Sequence, residues 1–268
     1  MSSMKEPFIG ENEGNQFNRR KFEAIVEVAP NLFVEYFPAG AEIAAKRKGI
    51  NVIIDTFRAS NTILALLKYV DHLIPVSGVE EALSSQAEII IGEVGGRKPE
   101  GFHLTNSPVE VEEWGSKLRG KRVVLRTTNG TQGLLRSKGA REVLIASPRN
   151  AKAVSDYLRR KREEGLAVNL IALGTKTETG HIHVPEDDIT AKMLSDRILG
   201  KDDPITSQDL FVRVFRDPEY YQKKSAMIGK DIGYCLSIDA TDMIPIFDEE
   251  KGIVFSLRGN LGKEGSDQ

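Results

Sequence analysis

Asn51-Val-Ile-Ile-Asp55-Thr-Phe-Arg58-Ala-Ser60-Asn61-Thr62, with Ile63-Leu-Ala-Leu-Leu-Lys-Tyr69 after it, decides the fold class. Val52, Ile53 and Ile54 form a short apolar, β-branched run that reads as a buried strand. Residues 63–69 read as the helix that follows. The turn between them then sits at the carboxyl end of a strand and the amino end of a helix, the edge where open α/β sheets bind ligands. Unpaired N–H groups and the positive dipole end suit such a place to phosphate. An acid there, Asp55, repels an anion unless a metal ion or Arg58 intervenes. Metal-assisted phosphate chemistry is the first expectation.

Outward from this stretch, strand-like and helix-like segments alternate over residues 32–199. Strands are expected at 32–36, 52–54, 72–76, 88–91, 122–126, 142–146 and 168–173. Helices are expected at 39–48, 63–69, 79–85, 109–114, 132–138, 151–164 and 189–199, with Asn150 as a cap and Gly165 as a stop. Strands without alternation, in repeated strand–helix units, indicate a mostly parallel sheet covered on both faces. The last third differs: 207–215, 218–227 and 231–236 read as helices, and 243–247 with 253–257 as a hairpin. The expectation is α/β with a C-terminal helical and hairpin appendage. Residues 21–262 form one domain, or two similar α/β halves, between a flexible arm (1–20) and a flexible tail (263–268).

At 268 residues the chain can bury one large core or two small ones. With 37 basic and 39 acidic side chains the net charge is −2, which argues against a general nucleic-acid binder. The single cysteine, Cys235, excludes an intrachain disulfide and fits a reducing cytoplasmic setting. No apolar run of spanning length occurs and no secretory segment lies near Met1, so no membrane partner is expected.

Polar clusters follow the predicted strands, all expected on one sheet edge: Asp55, Glu93, residues 127–131, Ser147, and Gly174 with Thr175. Convergence of separate loops is stronger than any single motif. Asp55 reads as metal ligand or nucleophile, or as a turn acid. Arg58 reads as a bidentate fork for phosphate or sulfonate oxygens, or as an ion-pair partner of Asp55. Ser60, Asn61 and Thr62 are good helix caps whatever the function. The loop from Gly92 through Glu93, Gly95 and Gly96 lacks the spacing of a dinucleotide or P-loop motif. The loop ending in Asn106, Ser107 and Pro108 is long enough to be functional. Thr127, Thr128, Asn129, Gly130 and Thr131 combine hydroxyls, an αL-tolerant pair and a helix start, and make the better oxyanion nest. Pro185, Glu186, Asp187 and Asp188 open a helix as its dipole favours, or supply further metal ligands. His181 and His183 lack a third zinc ligand. Asp239 and Asp242 read as turn-shaping residues.

Taken in order, residues 51–63 (NVIIDTFRASNTI), 92–110 (GEVGGRKPEGFHLTNSPVE), 123–131 (VVLRTTNGT), 148–154 (PRNAKAV), 185–191 (PEDDITA) and 234–245 (YCLSIDATDMIP) resemble the 2-phosphosulfolactate phosphatase family. The ordered set is specific although each block alone is weak. The resemblance implies a three-layer α/β/α architecture and a Mg²⁺-dependent phosphatase acting on the phosphate ester of a sulfonated hydroxy acid, toward coenzyme M. Asp55, Arg58, Glu93, Gly95, Gly96, Asn106, Ser107, Pro108, residues 127–131, Glu186 and Asp187 match its motifs. His103 stands where an acid is expected and Asp188 where a small residue is usual. The 175–184 loop is reshaped, where substrate selection could occur.

The working reading is phosphomonoester hydrolysis. Mg²⁺ is expected on Asp55 and Glu93, with Glu186 or Asp187 assisting. Asp55, Arg58, Thr128 and Asn129 are the expected catalytic residues, and Ser60, Asn106, Ser107, Thr127, Gly130 and Thr131 the expected substrate contacts. The nucleophile is either Asp55 itself or a water. The competing readings are a non-catalytic binder of anions or phospho-metabolites and a phosphatase for a non-sulfonated substrate. A small phosphoester is the expected partner, and self-association into a homo-oligomer is compatible with this reading.

Overall fold

A computed structural model describes residues 25–201 and 204–257; the expected arm and tail lie outside the described residues. The chain opens with strands β1 (Ile25–Ala29) and β2 (Leu32–Tyr36), then helix α1 (Phe37–Ala45), β3 (Ile50–Ile54) and α2 (Ala59–Leu66). Next come β4 (His72–Pro75), α3 (Val79–Ser84), β5 (Ile89–Gly92), α4 (Pro108–Trp114), β6 (Val123–Arg126) and α5 (Gly130–Arg136). They are followed by β7 (Glu142–Ala146), α6 (Ala151–Glu163), β8 (Val168–Ala172), a small hairpin of β9 (Thr175–Thr177) and β10 (Gly180–Ile182), and α7 (Pro185–Ile198). Helices α8 (Ser207–Val214) and α9 (Pro218–Cys235) and strands β11 (Pro245–Asp248) and β12 (Ile253–Ser256) close the order.

β3 is the centre of this arrangement because every residue in it is buried. Ile50, Val52 and Ile54 fill the apolar layer on one face of the sheet, and Ile53 fills the layer on the other. That double burial is what a strand flanked by two parallel neighbours, β7 and β8, requires. Each such side chain contributes roughly 1.5–3 kcal/mol of apolar burial. The polar exception, Asn51, is satisfied: its Nδ2 donates to Ala41 O at 2.9 Å and Ser137 Oγ at 3.1 Å.

The ten-stranded sheet runs β1-β2-β8-β3-β7-β11-β12-β4-β6-β5, and helices flank it. The α/β class with a mostly parallel sheet is as expected. The C-terminal hairpin, however, sits inside the sheet, between β7 and β4, and seals the gap between two parallel blocks. Its three antiparallel junctions reverse chain direction, so β4, β6 and β5 run opposite to β2, β8, β3 and β7. The polar loops therefore do not leave from one common edge. They meet because α5, leaving β6, crosses to pack on α1 and β3. Gly133 allows that approach: a Cβ there would fall 2.8 Å from the Leu173 side chain.

Other differences from expectation are local. α2 begins at Ala59 rather than Ile63, because Ser60 and Asn61 bond back into the turn before it. The two helices expected at 218–227 and 231–236 are as expected in kind: α9 consists of two helical segments that meet at a kink, the non-helical Ile228 (φ −139°, ψ 25°). β1 and the β9–β10 hairpin are additional. No helix among the described residues is long and apolar enough to cross a membrane.

Candidate active site

Asp55 ends β3 and is 6% exposed. Its backbone is fixed by Ser60: the Asp55 N–H donates to Ser60 Oγ at 3.0 Å, and Ser60 N–H donates to Asp55 O at 3.0 Å. Its Oδ1 accepts the Ala59 N–H at 3.2 Å. Its Oδ2 faces the start of α5, where a Cβ on Gly130 would lie 3.1 Å away, and 2.3 Å from Ala59 Cβ. Gly130 is thus required by close approach and leaves room beside the carboxylate. Burial pushes the Asp55 carboxyl up to about 6, the Ala59 N–H opposes this, and the Glu93 and Glu186 charges add to it.

Three acids surround this point. Glu93 is held by the turn after β6: Oε1 accepts the Thr128 N–H at 2.6 Å, and Oε2 accepts Thr128 Oγ1 at 2.9 Å and the Gly96 N–H at 2.7 Å. Asp187 bridges two strand ends, taking the Thr56 N–H at 2.7 Å and the Gly174 N–H at 3.0 Å. Burial first, then the charges of Asp55 and Glu186, drive its carboxyl well above the ordinary range. Glu186 accepts from Tyr220 OH at 2.6 Å and Lys224 Nζ at 3.0 Å. The Lys224 ammonium also caps the rings of Phe57 and Tyr220.

Arg58 does not pair with Asp55. Its Nη1 donates to Asp231 Oδ2 at 2.7 Å, a buried ion pair. Asp231 Oδ1 accepts Ser107 Oγ at 2.6 Å and the Val109 N–H at 3.3 Å. One carboxylate of α9 thereby ties the turn after β3 to the end of the 93–107 loop. No other hydrogen bond of the Arg58 guanidinium is made to the described residues, which leaves donors of the fork for a ligand. The Phe57–Arg58 peptide is cis.

The expected substrate contacts separate into two groups. Ser60, Thr127, Thr131 and Ser107 spend their hydroxyls internally: Thr127 and Thr131 cap each other at 3.0 and 3.1 Å, and Ser107 caps α4 by accepting the Glu110 N–H. Thr128 is the clamp on Glu93. Asn129 Nδ2 donates to Gly174 O at 3.3 Å, while its buried Oδ1 and that of Asn106 have no hydrogen-bond partner. Sequence reasoning missed Asp231, Lys224, Tyr220 and Thr56. The available signal was an acid on the buried side of an otherwise basic helix, in Lys230-Asp231-Ile232. His103 has a structural reason: its Nδ1 accepts the Ile90 N–H at 3.0 Å, an acceptor role a carboxylate also fills. Asp188 pairs with His183 at 3.3 Å, and Asp239, expected to shape a turn, instead reaches across to the start of α6 by accepting the Lys152 N–H at 2.7 Å and pairs with Arg197 at 2.8 Å.

For a divalent ion the donor chemistry fits: carboxylates and an orphaned amide oxygen, all hard oxygens, around an Asp55 whose ionised form the Ala59 N–H and the Lys224 charge offset only in part. Among the described residues no group of three or more His, Cys, Asp or Glu side chains is placed to hold a metal ion. Glu93, Asp187 and Glu186 all have both carboxylate oxygens engaged in hydrogen bonds, so Asp55 Oδ2 is the oxygen of this cluster that takes none from the described residues. One or two carboxylates with water is the usual Mg²⁺ arrangement.

These features define an α/β protein in which strand-end acids and a buried arginine gather around the end of β3. The profile of the 2-phosphosulpholactate phosphatase family matches residues 38–250, and the chain belongs to that family. A probable 2-phosphosulfolactate phosphatase of Carboxydothermus hydrogenoformans is 31% identical over 212 residues, 72% of this chain and 84% of that protein. One from Clostridium beijerinckii is 30% identical over 226 residues, 76% and 91% of the two chains. One from Thermotoga petrophila reaches 42% over 127 residues, 46% of this chain, and there the match spans only 53% of the relative's own length.

Proposed function

We propose that the protein is a Mg²⁺-dependent phosphatase that hydrolyses the phosphate monoester of 2-phosphosulfolactate or a closely similar phosphorylated hydroxy acid. The observation that carries this reading is the buried Asp55, with Oδ1 taking the Ala59 N–H and Oδ2 turned toward the start of α5, beside the turn in which Thr128 clamps Glu93. Family membership supplies the substrate class.

Asp55 and Glu93 would hold Mg²⁺, which supplies positive charge against the phosphoryl oxygens. The free donors of Arg58 take two of those oxygens, and Asp231 keeps the fork in place. Asp55 Oδ2 meets the phosphorus side of the substrate, as nucleophile or as the base for an attacking water. A trapped phosphoenzyme marks the first role. ¹⁸O entering phosphate with no trapped species marks the second. Lys224 and Tyr220 fix Glu186 by a hydrogen bond to each of its oxygens, and the Lys224 ammonium offsets its charge. Positioning and electrostatics of this sort are the main terms in phosphoryl transfer.

The test is phosphate release from phosphosulfolactate, phospholactate and phosphoglycolate, with Mg²⁺ and with a chelator. Mg²⁺-dependent release, fastest from phosphosulfolactate, is the expected result. Binding of the phosphoesters without release in any condition overturns the enzyme reading in favour of a binder.

A further inference from the structure

A small basic cavity adjoins the acidic cluster. It encloses about 330 Å³ and is lined by Arg126, Thr128, Gln132, Arg136, Lys176 and His181 over a floor of Pro38 and Ala39. Its size is at the low end of the range for ligand pockets. Gln132 and Arg136 lie one turn apart on α5, and Lys176 and His181 are cross-strand partners in the β9–β10 hairpin, so each pair presents to one side.

No carboxylate lines this cavity, and its cations are poorly neutralised. Arg126 spends its guanidinium on carbonyl oxygens, with Nη1 to Glu93 O at 2.6 Å and Nε to Ser77 O at 3.3 Å. Arg136 reaches Glu42 only at 3.8 Å, with both side chains about half exposed or more, where an ion pair is worth little. Lys176 has no carboxylate partner among the described residues. Burial, then the charges of Lys176 and Arg136, push the His181 pKa down, which marks cations held close together around the ring. In a chain of net charge −2, three cations gathered around one small space are an anion site.

Thr128 belongs to both places: it lines the cavity, and its Oγ1 donates to Glu93. A ligand spanning the two must carry a phosphate at one end and a second strong anion a few atoms away. We propose that this cavity holds the sulfonate of the substrate, and that Lys176 and Arg136 are the specificity residues that read it. The ligand's identity rests on the function proposed above; the geometry does not. A sulfonate offers three oxygens on one fully ionised centre, so the Arg136 fork takes two and the Lys176 ammonium the third. A methyl in its place leaves both cations without a counter-ion. The hairpin carrying Lys176 and His181 is thus the part of the fold that distinguishes a sulfonated hydroxy acid from a plain one.

Lys176→Ala and Arg136→Ala remove these charges at partly exposed positions. Two readouts apply: the ratio of kcat/KM for phosphosulfolactate to that for phospholactate, and calorimetric binding of sulfolactate, the dephosphorylated acid. Each variant is expected to lower the ratio about 10- to 50-fold, chiefly through KM, and to weaken sulfolactate binding by a similar factor. Lys176→Arg, which keeps the charge, should recover much of the loss. Equal losses on both substrates, or sulfolactate binding that is absent in the wild type or unchanged in both variants, overturns the assignment. A wild type that binds sulfolactate through these residues yet releases no phosphate removes the proposed activity and leaves the assignment standing.

Discussion

After β3 the chain runs Asp55, Thr56, Phe57, Arg58, Ala59, Ser60; after β6 it runs Thr127, Thr128, Asn129, Gly130, Thr131. Both turns end a buried parallel strand, open a helix and are rich in hydroxyls. In the first, Ser60 and Thr56 are consumed in holding backbone and neighbouring helices, and one poorly compensated acid is left among other acids. In the second, Thr127 and Thr131 close on each other, and Thr128 positions an acid from another loop. On the function proposed above, the first turn holds the reactive group and the second holds its surroundings. The comparison teaches that caps and ligands are made of the same residue types, and that the fate of each oxygen separates them.

The sharpest way to break this division is Asp55→Asn, nearly isosteric and able to keep the Ala59 N–H bond. Turnover should fall at least about 1,000-fold with the thermal midpoint little changed. Near-normal activity would return Asp55 to the role of a turn acid. Asp231→Asn removes the charge that holds Arg58 and should cost about 3–5 kcal/mol in urea denaturation, together with a rise in KM. Loss of stability without a kinetic effect would mean that Arg58 serves structure alone.

Titration probes the same contrast in metal-free protein. In the unfolded chain Asp55 ionises near its ordinary value of 3.8, whereas in the folded protein it holds its proton to about 6. Between those values the folded state binds more protons, so unfolding free energy falls as pH rises, by on the order of 2 kcal/mol, with buried Asp187 acting in the same direction. Denaturation at pH 4 and pH 6.5 should show the fall. Asp55→Asn and added Mg²⁺ should each flatten it, and a slope indifferent to both would show that Asp55 ionises as freely as an exposed acid. Smallest are the hydroxyl changes. Thr131→Val and Ser60→Ala should each cost about 1 kcal/mol of stability with catalysis nearly kept, while Thr128→Val should lower kcat about 10-fold at little cost in stability. Reversal of that pattern would exchange the roles within the second turn.

Much of the scaffold was legible. Apolar β-branched runs located β3, β5, β6, β7 and β8 to within a residue or two, because a doubly buried strand has little freedom of composition. Block direction was not legible, since a hairpin at the chain's end gives no sign that it will be inserted between β7 and β4. Asp55, Glu93 and Thr128 could be singled out as acids and a hydroxyl at strand ends, and Asp187 as an acid opening a helix. Asp231 and Lys224 could not, because their significance depends on α9 folding back over the strand-end loops, a long-range fact absent from local pattern. The capping roles of Ser60 and Thr131 were readable as chemistry but not as direction: only the fold shows that their oxygens point inward.

The most direct measurement is a crystal structure of the protein with Mg²⁺ and vanadate. The ion should be found on Asp55 and Glu93, with vanadate between Asp55 Oδ2 and the free edge of Arg58. Vanadate bound elsewhere, for instance in the larger basic cavity of about 610 Å³ near Lys68 and Arg119, with Asp55 and Glu93 left without a ligand, would contradict the account.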